Sequence, residues 1–267
     1  MVKTNIMQET DCRKIVAQQG CFTLVEYLKD VSVNHYSAAS EFYAAQMGVR
    51  KRQVVCNLNG NGIVVQAGAM QWTSGQIESV TNIKGAGDFA KKLLASKATG
   101  ETAVKPRYRG FGTVVLEPTY KHVLFVDVAS WGGLVVEDGL FYACDDTVNL
   151  SVVARSSVSS AVLGGEGLFN TCLSGMGTVV LESPVPREEL VVMELTEPTD
   201  EVKIDGNMAI AWSNSLKFTV ERSGKSLLGS AASGEGLVNV YRGVGKILMA
   251  PVATAVNPLA SAVANRT

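Results

Sequence analysis

Three glutamates sit among glycines at recurring places in the chain. Glu166 and Glu235 each belong to a GEGL tetrapeptide, and Glu101, in GETA, stands at the corresponding place upstream. Carboxylates brought together from three such places would bind a cation or raise one another's pKa, because like charges at close quarters resist joint ionisation. A glutamate between glycines also has a plainer use. It accepts backbone N–H bonds and fixes its turn, and a turn needed three times repeats the residue three times. Arg109 in YRGFG and Arg242 in YRGVG form a second set, each beside a tyrosine, Tyr108 and Tyr241. With Lys105, Arg107 and the run Arg50-Lys51-Arg52 they have the composition of a surface that contacts phosphates and stacks bases. Short basic runs more commonly pair with nearby carboxylates.

Other chemistries lack their parts. Nucleophilic catalysis needs a base, and the chain has two histidines, His35 and His122, with no GxSxG elbow. His122, in YKHVLFV, reads as a satisfied histidine on a strand. Two imidazoles are too few for a multi-histidine metal centre, and five cysteines without a CxxC pair make neither a zinc site nor a disulfide framework. SGKS (223–226) ends like a phosphate-binding loop, yet Thr219 occupies the place of the opening glycine. No GxGxxG follows a strand and opens a helix. The expectation is a non-enzymatic chain with no cofactor and no metal.

The elements that carry these residues recur. GEGLFNTCLSGMGTVVL (165–181) and GEGLVNVYRGVGKILM (234–249) share a GEGL opening and a GxG core, and YRGFGTVVLEP (108–118) supplies a third GxG. The cores lie 65 and 68 residues apart, from Gly110 to Gly175 and on to Gly243. Upstream of each core is a turn followed by apolar residues, with Asn59-Gly60, Asp138-Gly139 and Asp205-Gly206 as hairpin signals. Units of this size cannot bury both faces alone, so they pack face to face or close around a common core. The GxG glycines call for positive φ, a bulge or a close backbone approach. Trp72, Trp131 and Trp212 fall in three different units and read as core or subunit contact.

Strand chemistry dominates. TVVLEPTYKHVLFVDVASW (113–131), TVVLESPVPREELVVMELT (178–196) and KILMAPV (246–252) are rich in β-branched residues, with Pro118, Pro184, Pro186 and Pro251 at strand ends or edges. Helix is expected in SAASEFYAAQMG (37–48), capped by Ser37 or Ser40 and stopped by Gly48, and in GDFAKKLLASK (87–97). The fold class is therefore all-β: three internally repeated antiparallel units, with a small N-terminal extension containing a short helix. The division is residues 1–50 as an extension with two strands (13–27) and that helix, 51–252 as the three-unit domain, and 253–267 as a low-charge tail.

Composition bounds the partners. At 46% apolar, 18% charged and 26 glycines in 267 residues, the chain has ample core, and its net charge of −1 creates no global field for nucleic acid or anionic lipid. The N-terminus has no apolar core of a signal peptide, so the chain is expected in the cytoplasm with its thiols reduced. Residues 247–264 carry no charge, but Pro251, Asn257 and Pro258 interrupt them, so a strand followed by a loose tail is expected rather than a membrane span, and membrane association through that tail stays open.

QAGAMQW (66–72), TGE (99–101), YRGFGTVVLEPTY (108–120), GGEGLFNTCLSGMGTVVLESPVP (164–186), VKIDGNMAIAWSNSLKFTVE (202–221) and SGEGLVNVYRGVGKILMAPV (233–252) together resemble the altered-inheritance-of-mitochondria protein 24 family over roughly residues 50–252. The resemblance implies a fold similar to the tryptophan RNA-binding attenuation protein, a double-stranded β-helix or β-sandwich body of three repeats that self-associates. It implies no catalytic residues. Mitochondrial members are linked to inner-membrane architecture, and microbial members have no settled activity. The expected role is an oligomeric scaffold or binding protein with an unidentified protein partner. The alternatives are RNA binding through the YRG segments and small-molecule or cation binding at a pseudo-threefold axis through Glu101, Glu166 and Glu235.

Overall fold

The structure, a computed structural model, describes residues 2–80, 105–154, 169–222 and 237–252. Within them the chain is mostly β-strand with one α-helix near the N-terminus, and its strands form three antiparallel sheets. The expected helix at 87–97, the SGKS segment and the tail after Val252 lie outside the described residues.

The largest sheet is organised by one long strand. β1 (Arg13–Gln19) and β2 (Phe22–Tyr27) form a hairpin, and β2 pairs with the first half of β3 (Arg52–Val65). Along its other side β3 carries β5 (Arg107–Leu116), which pairs in turn with β4 (Met70–Val80). A bulge between Asn59 and Gly62 bends β3. Past the bend its second half pairs with β8 (Phe141–Asp145), then β11 (Thr178–Ser183) and finally β6 (His122–Asp127). The bend curls this sheet into an incomplete barrel; among the described residues its edge strands are β4, β1 and β6, and the last two wall one groove.

Cores on both faces explain why several strands read as unbroken apolar runs rather than alternating ones. In β11, Val180 faces the barrel interior with Phe22, Cys56 and Phe125, whereas Val179 and Leu181 face a second core. That second core packs the barrel against a sheet ordered β12 (Val191–Leu195), β17 (Gly245–Met249), β14 (Ala209–Ser213), β7 (Leu134–Val136), β10 (Phe169–Gly175) and β9 (Val148–Ala154). A third core centres on Trp212, whose ring lies 5.3 Å from those of Phe218 and Tyr241. It seats the small sheet of β13 (Glu201–Asp205), β16 (Leu237–Arg242) and β15 (Lys217–Arg222).

Two of the three GxG motifs mark corners, and the first, Gly110–Gly112, lies inside β5 beside the β3 bulge. The first glycine of each has positive φ, +131° at Gly110, +97° at Gly175 and +106° at Gly243. Gly175–Gly177 lets the chain pass from β10 in one sheet to β11 in another, and Gly243–Gly245 does the same between β16 and β17. A side chain on Gly177 would come within 3.0 Å of Asp145 Cβ, and one on Gly245 within 2.8 Å of Ser213 Cβ.

Helix α1 (Ala38–Gln46) forms where expected, with Gly48 ending it at φ +78°. Its first turn is held differently. Ser37 makes no side-chain cap bond, and Asn34 Oδ1 accepts the N–H groups of Tyr36 at 2.9 Å and Ser37 at 3.2 Å. The reason is reach: an asparagine preceding the first turn folds its carboxamide back onto the chain two residues on.

Candidate functional site

Two of the barrel's open edges face one groove of about 750 Å³, walled by Val16–Gln19 of β1 and His122–Phe125 of β6. A smaller hollow of about 320 Å³ continues it past Gln19, Phe125 and Arg187 towards Val192 and Leu248. At the narrow end Gln19 Nε2 donates to Thr178 Oγ1 at 3.2 Å, tying the β1–β2 turn to β11. The floor is apolar, with Leu24, Val123 and Phe125 supplied by the barrel core.

The wide end is charged. Glu26, on β2, accepts from Arg50 Nη1 at 2.8 Å and from Arg52 Nε at 3.0 Å. Arg52 is buried and spends its remaining donors on the carbonyls of Gly48, Arg50 and Tyr120. Arg50 Nε is buried without an acceptor among the described residues. Arg187, Glu188 and Glu189 form the opposite rim. His122 lines the groove, and no side-chain hydrogen bond satisfies its ring among the described residues, contrary to the reading as a satisfied strand histidine. Desolvation, then the positive charge of Arg52, lowers its pKa, so the ring is neutral near pH 7. Its side chain lies on the outer face of an edge strand, with no strand beyond β6 among the described residues to offer a partner.

The residues singled out from sequence meet different fates. Glu101, Glu166 and Glu235 lie outside the described residues. Arg109, exposed, is ion-paired to Asp146. Arg242 is held by Glu201 at 2.6 Å and by both oxygens of Glu221. Arg109 and Arg242 stand on different sheets, and no contact joins them. Tyr108 and Tyr241, expected beside them as stacking platforms, are buried at 7% and 1% exposure, because strand alternation turns each ring to the side opposite its neighbouring arginine. The basic run also pairs: Arg50 and Arg52 with Glu26, and Lys51 with Asp30 at 2.7 Å. Trp212 is core, while Trp72 and Trp131 are half-buried at core margins.

Sequence reasoning missed the groove and its buried Glu26–Arg52 pair. The available signal was the alternation Arg50, Arg52 at the start of a strand, opposite Glu26 on a neighbouring strand, but register between them is set by tertiary pairing. All five cysteines are free thiols. Among the described residues no group of histidine, cysteine and carboxylate side chains is placed to hold a metal ion, and no helix is long and apolar enough to cross a membrane.

Comparisons with known proteins agree with this architecture. A crystal structure of a Streptococcus pyogenes protein superposes with a TM-score of 0.59 at 20% identity, covering 96% of this chain and 100% of that one, a likeness of fold. An uncharacterized protein from Streptococcus pyogenes serotype M6 is 24% identical over 196 residues, 71% of this chain and 76% of that relative. The family model described as mitochondrial biogenesis AIM24 matches residues 45–252, taking in β3 through β17 with the groove's whole β6 wall but not its β1 wall, and the chain belongs to that family.

Proposed function

We propose that the chain is a non-enzymatic, self-associating scaffold or binding protein acting in the cytoplasm. One observation carries the reading: the middle residue of each GxG motif is a large apolar side chain left in solvent. Phe111 is 60% exposed, Met176 76% and Val244 48%. Single exposed apolar residues are ordinary, but recurrence at the same motif position of three stretches is a pattern that covered surface explains. The edge strands of the six-stranded sheet support it, since Val191 and Val192 on β12 and Val152 and Val153 on β9 are also exposed. A three-unit, attenuation-protein-like arrangement belongs to the same reading. The succession β8–β9–β10–β11 recurs as β14–β15–β16–β17, each with its GxG before the last strand. Five free cysteines suit a reducing compartment. RNA binding is the weaker reading, because Arg109 and Arg242 already hold carboxylates and their tyrosines are buried.

Mass photometry of the natively purified protein, paired with native mass spectrometry, tests the proposal. A defined homo-oligomer that dissociates in the variant carrying Phe111→Ser, Met176→Ser and Val244→Ser is expected. A monomer at micromolar concentration, or an oligomer indifferent to all three changes, overturns it.

A further inference from the structure

We propose that the groove between β1 and β6 receives an extended peptide segment of a partner protein, which enters as an added strand along β6. This rests on the reading of the chain as a binding protein and names the class of partner.

Hydrogen-bond phase carries the argument. Val128 N–H donates to the Gly177 carbonyl at 3.0 Å, and the pairs Val126↔Val179 and Leu124↔Leu181 follow in register. In an antiparallel ladder bonded pairs alternate with unbonded ones, so Leu124 and Val126 spend their backbone groups on β11. Val123 and Phe125 therefore point their N–H and C=O groups away from β11, into the groove. Among the described residues no backbone bond outside the ladders reaches either of them. The next residue in that phase, Asp127, has its carbonyl capped by the Ser130 hydroxyl at 2.8 Å. What remains is a two-residue strand edge inside a groove rather than on open surface.

The facing wall shows the same need already met once. Leu28 N–H donates to the Cys12 carbonyl, so the phase turns Ile15 outward, and its N–H is taken by Glu9 Oε1 at 3.0 Å. A carboxylate oxygen stands there where a strand carbonyl would. Beyond it Val16 and Gln18 line the groove. Open strand edges template further strands, and an extended backbone has the donor and acceptor repeat that answers Val123 and Phe125.

Side chains set the sequence class. Val123 and Phe125 face the barrel interior, where the rings of Phe125 and Phe22 lie 6.2 Å apart. A strand paired to β6 puts alternate residues over that apolar floor, so those positions are small aliphatic. At the wide end one carboxylate, Glu26, serves two guanidinium groups, and among the described residues Arg50 Nε has no acceptor. An acidic residue of the segment complements that local excess of positive charge, and Glu188 and Glu189 on the opposite rim fix which side it takes.

The probe is a fluorescein-labelled, acetylated Thr-Val-Thr-Val-Thr-Glu peptide, titrated into the full chain by anisotropy, with a twin N-methylated at both valines. In the paired strand the inward valines direct their N–H groups at β6, so methylation removes the pairing without changing the inward side chains. The twin is expected to bind about tenfold more weakly or worse, as for two lost backbone hydrogen bonds. Val123→Pro is expected to weaken the unmethylated peptide comparably while the fold persists, since proline is tolerated where an edge N–H faces outward. Residue-resolved hydrogen exchange guards against misfolding of that variant. In the unaltered protein the amides of Val123 and Phe125 should exchange faster than those of Leu124 and Val126, and slow when peptide is added. Absence of binding at millimolar peptide overturns the proposal, as does protection of Val123 and Phe125 in the free chain, which would mean that the chain or a second copy fills the groove. Neither result alters the oligomer seen by mass photometry, so the two readings fail separately.

Discussion

Arg242 on β16 reaches diagonally across Thr219 to grasp Glu221 on β15 with two parallel hydrogen bonds, Nη1 to Oε1 at 2.5 Å and Nη2 to Oε2 at 3.0 Å. The same guanidinium donates to Glu201 directly opposite on β13, so one arginine clamps all three strands of the small sheet. Arg242, and the Thr219 hydroxyl after it, hold the Glu221 carboxyl down to about 2 from its ordinary 4.5. A depressed carboxylate contributes stability that is present above the unfolded pKa and lost as pH falls through the folded one. Glu221→Gln is therefore expected to flatten the fall of Tm between pH 4.5 and 2, measured by thermal unfolding at a series of pH values. The pair is about one-third exposed, so the difference should shrink in 0.5 M salt. Equal slopes for both proteins would show that the clamp does not couple to unfolding.

A deeper pair behaves differently. The Arg52 side chain is 8% exposed and Glu26 13%, and Glu26 also carries Arg50. Replacing one partner of a buried pair leaves the other charge uncompensated, at a cost of about 3 kcal/mol. Glu26→Gln is expected to lose stability of that order in urea unfolding at pH 7, whereas Lys51→Gln, which breaks a more exposed pair with Asp30, should cost about 1 kcal/mol or less. Similar losses for the two would mean that solvent reaches Glu26 freely.

Much of the architecture is legible in the sequence because it is written in local terms. β-Branched runs and recurrent GxG cores announce strands through short-range sterics, and the Asp138-Gly139 and Asp205-Gly206 turns fall between strands as expected, though they join strands of different sheets and close no hairpin. Asn59-Gly60 makes no turn, because β3 runs through it and takes up the extra residues as a bulge. The GxG motifs are legible only in part: their residue types imply positive φ, but not that two of them carry the chain between sheets, which depends on neighbours far along the sequence. The groove is not legible at all. It exists because β3 bends at a bulge and leaves the outer edges of β1 and β6 open, and Arg52 and His122 acquire their surroundings from strands dozens of residues away. Arg109 and Arg242 show the converse, since residue type alone does not reveal that Asp146 and Glu221 claim them.

The glycines offer a contrast between crowding and conformation. A Cβ on Gly112 would collide with the Ser74 carbonyl oxygen and lie 3.0 Å from Gly75 Cα, so β4 would have to part from β5. Gly206 has φ of +56° with nothing within 4 Å of an added methyl, which leaves only the left-handed penalty of about 1 kcal/mol. Gly112→Ala should therefore destabilise well beyond the ~1 kcal/mol expected of Gly206→Ala in the same urea experiment. Equal costs would show that β4 yields without resistance.

Cys21, in the turn between β1 and β2, places Sγ 3.5 Å from Asp145 Oδ1 on β8. Burial first, and the negative charge of Asp145 second, push its thiol up to about 12. The reactive species in alkylation is the thiolate, so at pH 8 Cys21 should react with iodoacetamide about a thousandfold more slowly than an unperturbed thiol of pKa ~8.5. Its rate should still be climbing at pH 10, where an ordinary thiol has levelled off. Asp145→Asn removes the charge while keeping an oxygen for the Thr178 N–H, which Asp145 accepts at 2.7 Å. The thiol should then ionise at lower pH yet remain above the ordinary value, because the burial that dominates the shift is untouched. Mass-resolved alkylation across pH 7 to 11 separates the two causes: a plateau below pH 10 in the unaltered protein would show that the turn opens to solvent, and an unchanged profile in Asp145→Asn would assign the whole shift to burial.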